Sequence, residues 1–305
     1  MCFEGRMTMK VLKRNAAFAA AALCLLCICL LFSLSAFATE AEPDPAAQQT
    51  GATGTDPNAT DPNSTPAPAP VQKKPRWVTK KGYCYHYNTL GKKDKGLVKI
   101  GKRKYLFDKK GRQQVGWQKV GKYYYYFRIR SGRQGYMLTD QTVNHIRLRK
   151  NGRATVTSGD RIRLLYRCSQ IVEGHTKPTM SKSEKMHTMW NWMQSNIGYW
   201  NVIWHESGDW DVDYATRCLP ENSGGGSCEG LGCLWAYLAN ACGASSCYSV
   251  CSGGHGWAEV EGLVYDPACA RYDSRRDDYY ALSMDMSGVG GRPNYRAYGF
   301  YSKQV

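Results

Sequence analysis

Beyond residue 38 the chain has no long hydrophobic run, and it is short of acid: 25 Asp and Glu stand against 41 Lys and Arg, a formal charge of +16. The first absence excludes a stable membrane-spanning segment in that part, because a bilayer needs about 20 consecutive apolar residues. The second favours an anionic polymer as neighbour. No two cysteines beyond residue 38 have the C-x-x-C spacing of a paired zinc site, so no metal is expected. The glycine-rich stretch "GGGSCEG" lacks the Gly-Lys-Ser/Thr ending of a phosphate loop, which excludes nucleotide chemistry; no cofactor is expected at all. Histidine is scarce too, at six, so each can be weighed as a base.

What is present begins with a leader. Lys10, Lys13 and Arg14 precede an apolar run from Ala16 to Leu34, closed by Ala36-Phe37-Ala38. Residues 1–38 therefore read as a secretory signal peptide, with an uncleaved anchor helix as the other reading. Either way the remainder lies outside the cytoplasm, and nucleic acid is not an expected partner. Nine of the 13 cysteines follow the leader: Cys84, Cys168, Cys218, Cys228, Cys233, Cys242, Cys247, Cys251 and Cys269. An exported chain forms disulfides, and an odd count fits four bridges plus one thiol kept apart. Cys242, Cys247 and Cys251 are disulfide candidates.

Residues 39–75 are rich in Pro, Ala, Thr and Asp and show no apolar period, which reads as a disordered linker. Residues 76–157 repeat. Trp77, Leu97, Trp117 and Met137 recur every 20 residues; Tyr85, Tyr105 and Tyr125 do the same. Alternating aromatics between Gly and Lys predict short β-hairpins, with Gly101-Lys102 and Gly121-Lys122 at tight turns. Such hairpins cannot bury a face alone, so the units should stack as a small solenoid. The unit "GWQKVGKYYYYF" resembles the cell-wall-binding repeats of Gram-positive surface proteins, a family that includes choline-binding modules. That resemblance implies a cell-wall polymer or envelope glycan as partner, with quaternary ammonium groups such as choline held by cation–π attraction. Trp77, Tyr85, Tyr105, Trp117 and Tyr125 are the residues it would use. The other reading is that these aromatics only pack repeat on repeat.

Residues 158–305 change character. Ser181 and Glu184 form a capping-box pattern ahead of Met186, Met189, Trp190, Met193 and Ile197 at helical spacing. "SCEGLGCLWAYLANACG" predicts a second buried helix, stopped by Gly243. "SVCSGGHGWAEVEGLVYDPACARY" alternates as two adjacent antiparallel strands, with His255 at the start of one and Asp266 near the end of the next.

Acyl transfer by a thiol needs an ionisable thiol, a base beside it and a group that orients the base. Cys228 lies where loop becomes helix, and a helix N-terminus favours a thiolate. Cys233 lies deeper in the helix and Cys242 lies at its wrong end. His255 is the preferred base, Asp266 the orienting carboxylate, and the Cys228 amide a donor for an oxyanion. Cys228 could instead be a bridge cysteine, and His255 with Asp266 a structural pair. Trp204 and Trp210 could line the cleft or the core.

The set "GSCEGLGCLWAYLANACG … GGHGWAEVEGLVYDP", residues 226–243 and 253–267, resembles the transglutaminase-like superfamily, including its bacterial members. The resemblance implies an α+β fold: a papain/transglutaminase-like core with N-terminal helices and an antiparallel sheet, here behind the hairpin repeats. It implies Cys228, His255 and Asp266 as catalytic residues and a peptide or protein amide as substrate. Gly232 and Gly256 stand where that family has small Ala residues, a change expected to be sterically mild. The expectation is a secreted, wall-associated cysteine protease, amidase or cross-linking enzyme of a Gram-positive type bacterium; the alternative is a wall-binding or adhesion protein with a degenerate core.

Overall fold

Each tight turn in the N-terminal half carries the backbone a hairpin needs. Strands β1 (Arg76–Lys80) and β2 (Tyr83–Tyr87) pair antiparallel around Lys81-Gly82, both at positive φ, as a type I′ turn requires. β3 (Gly96–Ile100) and β4 (Arg103–Phe107) turn at Gly101-Lys102, with β5 (Gln113–Gln114) added to the edge of β4. β6 (Gly116–Val120) and β7 (Tyr123–Phe127) turn at Gly121-Lys122, and β8 (Thr142–Val143) pairs with β9 (Ile146–Arg147). The computed structural model describes residues 72–130, 135–200, 208–252, 254–272, 276–296 and 301–305. The leader, nearly all of the linker, Trp204 and His205 lie outside them.

The hairpins stack through their aromatics. Trp77 of the first lies 5.0 Å from Tyr105 and 5.8 Å from Phe107 of the second. Leu106, Tyr125, Phe127 and Met137 then form a small core between the second and third units. Burying side chains of this size removes about 1.5–3 kcal/mol each from the cost of ordering the chain. The third hairpin is not a detached arm. Trp117 is only 1% exposed; its amide donates to Ser169 Oγ at 3.1 Å and its indole to Asn144 Oδ1 at 2.9 Å. Tyr124, Ile146, Leu148 and Ala154 join it in the main core, alongside residues of the helices that follow. The described residues fall in one compact unit.

The C-terminal half contains α1 (Asp160–His175), α2 (Lys182–Asn196), β10 (Gly198–Tyr199), α3 (Trp210–Cys218), β11 (Gly225–Gly226) and α4 (Cys228–Cys242). There follow β12 (Cys247–Cys251), β13 (Gly256–Val260), β14 (Leu263–Tyr265), α5 (Cys269–Tyr272) and β15 (Tyr301–Gln304). α2 opens on the complete Ser181–Glu184 capping box, and its Met186, Met189, Trp190 and Met193 are buried. α4 ends on Gly243 at φ 103°, the left-handed cap a glycine accepts most readily. The sheet runs β14-β13-β12-β15, all antiparallel. Helix α4 touches β12 and β13 as well as α1, α2 and α3, so it is the axis of the α+β layer pair. Beneath it, Asp211 is fully buried and accepts from Tyr237 Oη at 2.7 Å and Arg161 Nη2 at 3.2 Å, with Lys303 Nζ at 3.7 Å. That carboxylate ties α1, α3, α4 and β15 together.

The expected disulfides are not formed: none joins the nine cysteines, all of which are described. Cys168, Cys218, Cys233, Cys242 and Cys247 sit in the core as small apolar side chains, a common use of cysteine. Burial pushes each of these thiols well above its ordinary pKa. The burial that lets them pack also disfavours their thiolates. No helix among the described residues is long and apolar enough to cross a membrane.

Candidate active site

β11 pairs in parallel with β10, which fixes the glycine run that enters α4. Cys228 is the first residue of that helix. Its N-cap, Ser227, is extended, yet its side chain makes no capping bond, and Ser227 Oγ is buried without a hydrogen-bond partner. The first amides of a helix have no intrahelical acceptor. Here the side chain best placed to cap them does not, so they remain a positive end beside Cys228.

β13 is pressed against this helix start. A Cβ on Gly256 would lie 2.3 Å from Glu229 Cα, and one on Gly232 would lie 2.7 Å from the Trp257 backbone. The two glycines are therefore not mild replacements for Ala. Helix and strand approach more closely than any side chain at these positions allows, and His255, one residue before β13, is carried to the helix start with them.

The β13–β14 ladder pairs Ala258 with Tyr265. Asp266, one step further, comes level with Trp257 and beside His255. His255 Nε2 is hydrogen-bonded to Asp266 Oδ2 at 2.7 Å. Asp266 is fully buried and has two more donors: Tyr295 Oη at 2.9 Å on Oδ2 and the Cys269 amide at 2.9 Å on Oδ1. Burial alone would raise its pKa. The hydrogen bond and charge of His255, with the Cys269 amide, outweigh it and hold the carboxyl below its ordinary value. Burial likewise pushes the His255 imidazolium down, but hydrogen bonds to Asp266, Cys228 and Cys269 overcome it and hold the ring well above its ordinary pKa. The indole of Trp257 stacks on the imidazole at 5.9 Å and 28°.

His255 and Asp266 are thus joined by a hydrogen bond, and Cys228 is among the groups that raise the pKa of the ring. Cys228 is 9% exposed, and its Sγ donates to Glu229 Oε2 at 3.3 Å. A cleft of about 410 Å³ opens over the imidazole, lined by Ser252, His255, Trp257, Pro293, Asn294 and Tyr295. Three participants were missed from sequence. Glu229 was passed over as a helix residue. Cys269 had a readable signal, lying three residues after Asp266, where its amide reaches back to the carboxylate. Tyr295 had none, since it stands 29 positions along the chain from its partner. Donor atoms of His255, Asp266 and Cys269 lie within 4.8 Å of one another. Trp210 packs beside Tyr214 and below Lys303, in the core.

The five aromatic positions of the hairpins are spread through packing. Trp117, Tyr105 and Tyr125 are buried. Trp77 packs edge-on to Tyr105, and Lys93 Nζ stands 4.0 Å above the Tyr85 ring. Arg103 covers Tyr136 at 3.8 Å and Arg153 covers Tyr123 at 4.0 Å, so cations of the chain itself hold several of its aromatic faces.

No family model matches the chain, and no curated protein matches it either. Solved structures do. A choline binding domain from Streptococcus pneumoniae is 25% identical, with a TM-score of 0.23, over 30% of this chain and 99% of that one. Choline binding protein F from Streptococcus pneumoniae, solved in the presence of a peptidoglycan analogue, is 21% identical, with a TM-score of 0.24, over 27% of each chain. A multimodular pneumococcal cell wall endolysin from phage Cp-1, complexed with choline, is 20% identical, with a TM-score of 0.22, over 28% of this chain and 26% of that one. This chain therefore spans about a quarter of the second and third. At these TM-scores the overlays identify neither a fold nor a ligand for it.

Proposed function

We propose that the chain is a thiol-dependent acyl transferase or amide hydrolase, with Cys228 as nucleophile, His255 as acid and base, and Asp266 as the group that orients the ring. The observation that carries this reading is the imidazole bonded to a fully buried carboxylate, next to a strand pressed against the helix start that holds the Cys228 thiol. The resemblance to the transglutaminase-like superfamily supports the same three roles.

The Cys228 proton passes to His255, and the thiolate attacks an amide carbonyl of the substrate. The carbonyl oxygen takes the negative charge, which the open amides of the first turn of α4 stabilise. As the tetrahedral centre collapses, His255 returns the proton to the leaving amine, and a thioester remains on Cys228. His255 then takes a proton from water or from a second amine, which attacks the thioester and releases the acid or a cross-linked amide. Asp266 keeps the ring in one orientation throughout and balances the imidazolium.

The substrate class proposed is a peptide amide of a cell envelope, with the hairpin region as the part that meets the wall. The basic excess and the exposed Lys and Arg side chains over the hairpin aromatics favour an anionic wall polymer as its contact, because the aromatic faces a choline would need are largely taken.

Incubation with a small thiol-directed alkylating probe, followed by peptide mapping, tests the reading. Cys228 should label first among the nine cysteines, and His255→Ala should slow it by roughly 100-fold, the low end of what a general base contributes. Equal labelling of Cys228 in both proteins would leave only the non-catalytic, wall-binding reading standing. Wall peptides with and without an added primary amine then separate hydrolysis from cross-linking.

A further inference from the structure

Cys269 has no part in that chemistry, yet it lies against the same imidazole. Its Sγ is 3.9 Å from His255 Nε2, on the ring nitrogen that also meets Asp266 Oδ2 at 2.7 Å. The three donor atoms fall within 4.8 Å of one another. Cys269 is also the only one of the nine cysteines that is not fully buried.

We infer that His255, Asp266 and Cys269 form a binding site for a borderline-soft divalent cation, zinc in the first place, and that an ion there takes the imidazole away from Cys228. Tetrahedral zinc with bonds of about 2.0–2.3 Å places nitrogen and sulfur ligands about 3.5 Å apart, and nitrogen and oxygen ligands about 3.3 Å apart. The nitrogen–sulfur edge must shorten and the nitrogen–oxygen edge lengthen, each by roughly half an ångström. Side-chain rotation at His255 and Cys269 supplies that. One thiolate, one imidazole and one carboxylate suit zinc over magnesium or calcium, which want oxygen ligands alone. The set leaves a fourth position for water. The carboxylate is already oriented from behind, since the Cys269 amide holds Oδ1 and Tyr295 Oη holds Oδ2. A buried, pre-oriented carboxylate is the outer support that metal-ligand sets depend on.

Binding is balanced in protons and needs no change of oxidation state. The Cys269 thiol proton and the proton on Nε2 leave to solvent as the sulfur–metal and nitrogen–metal bonds form. The ring nitrogen that Asp266 orients is then occupied by the ion, and the imidazole can no longer cycle a proton. The site itself does not depend on the proposed activity; only its consequence, silencing Cys228, rests on that reading.

Cobalt titration of the reduced, metal-free full chain tests the site without reference to activity. A thiolate bonded to cobalt absorbs through charge transfer, which aquated cobalt does not. One equivalent of this absorption should appear in the wild type, persist in Cys228→Ala, and vanish in both Cys269→Ser and His255→Ala. Zinc should displace it. Circular dichroism of Cys269→Ser confirms that the variant is folded, and Cys269→Ala serves in its place if it is not. In the wild type, zinc should slow probe labelling of Cys228 at least 10-fold, and in Cys269→Ser it should not. Absence of the absorption from the wild type, or its survival in Cys269→Ser, overturns the site. Cobalt bound as expected with Cys228 labelling unaffected by zinc overturns the silencing instead.

Discussion

Replacing Gly256 with Ala tests how the thiol and the imidazole are brought together. The added methyl would stand 2.3 Å from Glu229 Cα, 2.6 Å from Glu229 N and 2.9 Å from Glu229 Cγ. Ordinary contacts begin near 3.4 Å, so the deficit to the backbone is about 1 Å. All three opposing atoms belong to Glu229 in the first turn of α4, and two of them are backbone, which no rotamer can relieve. Either the strand lifts from the helix or the helix start unwinds. Overpacking of this kind costs about 1–3 kcal/mol, and a unit of this size loses about 2–4 °C of Tm per kcal/mol. The larger effect falls on the site, because His255 precedes Gly256 and Glu229 follows Cys228. A displacement of about 1 Å at reacting groups costs about 100-fold in rate. Probe labelling of Cys228 and a melting curve read the two effects separately. Labelling should fall by about two orders of magnitude while the melt remains cooperative. Gly254→Ala is the control, since nothing lies within 4 Å of the Cβ it adds. Wild-type labelling and Tm in Gly256→Ala would refute the claim that helix and strand meet through the missing side chain.

Asp211→Ala removes the carboxylate shared by Arg161, Tyr237 and Lys303 and should cost about 3–5 kcal/mol in urea unfolding, as breaking a buried pair does; a loss under about 1 kcal/mol would mean that the charges left behind reach water. Trp117→Ala should cost about 3–5 kcal/mol and lower the melting temperature of the helical region as well as the hairpins, because Trp117 sits in the shared core; two separated transitions would speak against that sharing. Gly174 lies in α1, and a methyl group added there would meet nothing within 4 Å, so Gly174→Ala should raise stability by about 0.5–1 kcal/mol in the same urea assay. The pH dependence has a definite sign. Asp266 is held below its ordinary value, so its contribution is present above that value and lost as the pH falls through the folded one. His255 is held above its ordinary value, so its contribution is complete below that value and lost as the pH rises through the folded one. The pair therefore supports the fold most between roughly pH 4 and 6.5, and Asp266→Asn should flatten the acid side of a Tm-against-pH curve.

Much of the fold could be read locally, because its signals are local. The capping box at Ser181 and Glu184 and the stop at Gly243 each act within one turn of chain. The hairpin turns depend on backbone angles that glycine permits, as at Gly101 and Gly121. The β13–β14 pair was legible because its turn, Glu261-Gly262, joins two short alternating runs. β15 was not legible: it pairs with β12 across about 50 residues, and "YSKQ" alternates no more than a loop does. The disulfides failed for a related reason. Compartment and cysteine count argue for oxidation, but whether a sulfur packs or pairs is decided by which side chains surround it, and nothing near Cys168 or Cys233 in the sequence carries that information.

The site divides along the same line. Residue type and order pick out Cys228, His255 and Asp266, since a thiol at a helix start and a His and an Asp on adjacent strands leave marks in the pattern. Their separation leaves none. It is set by Gly232 and Gly256, which read as harmless until helix and strand are seen touching through both. The carboxylate itself is fixed by the nearby Cys269 amide and by Tyr295, whose chain segment has no pattern of its own. Side chains supply the candidate groups, and two absent Cβ atoms let the helix and strand that carry them meet.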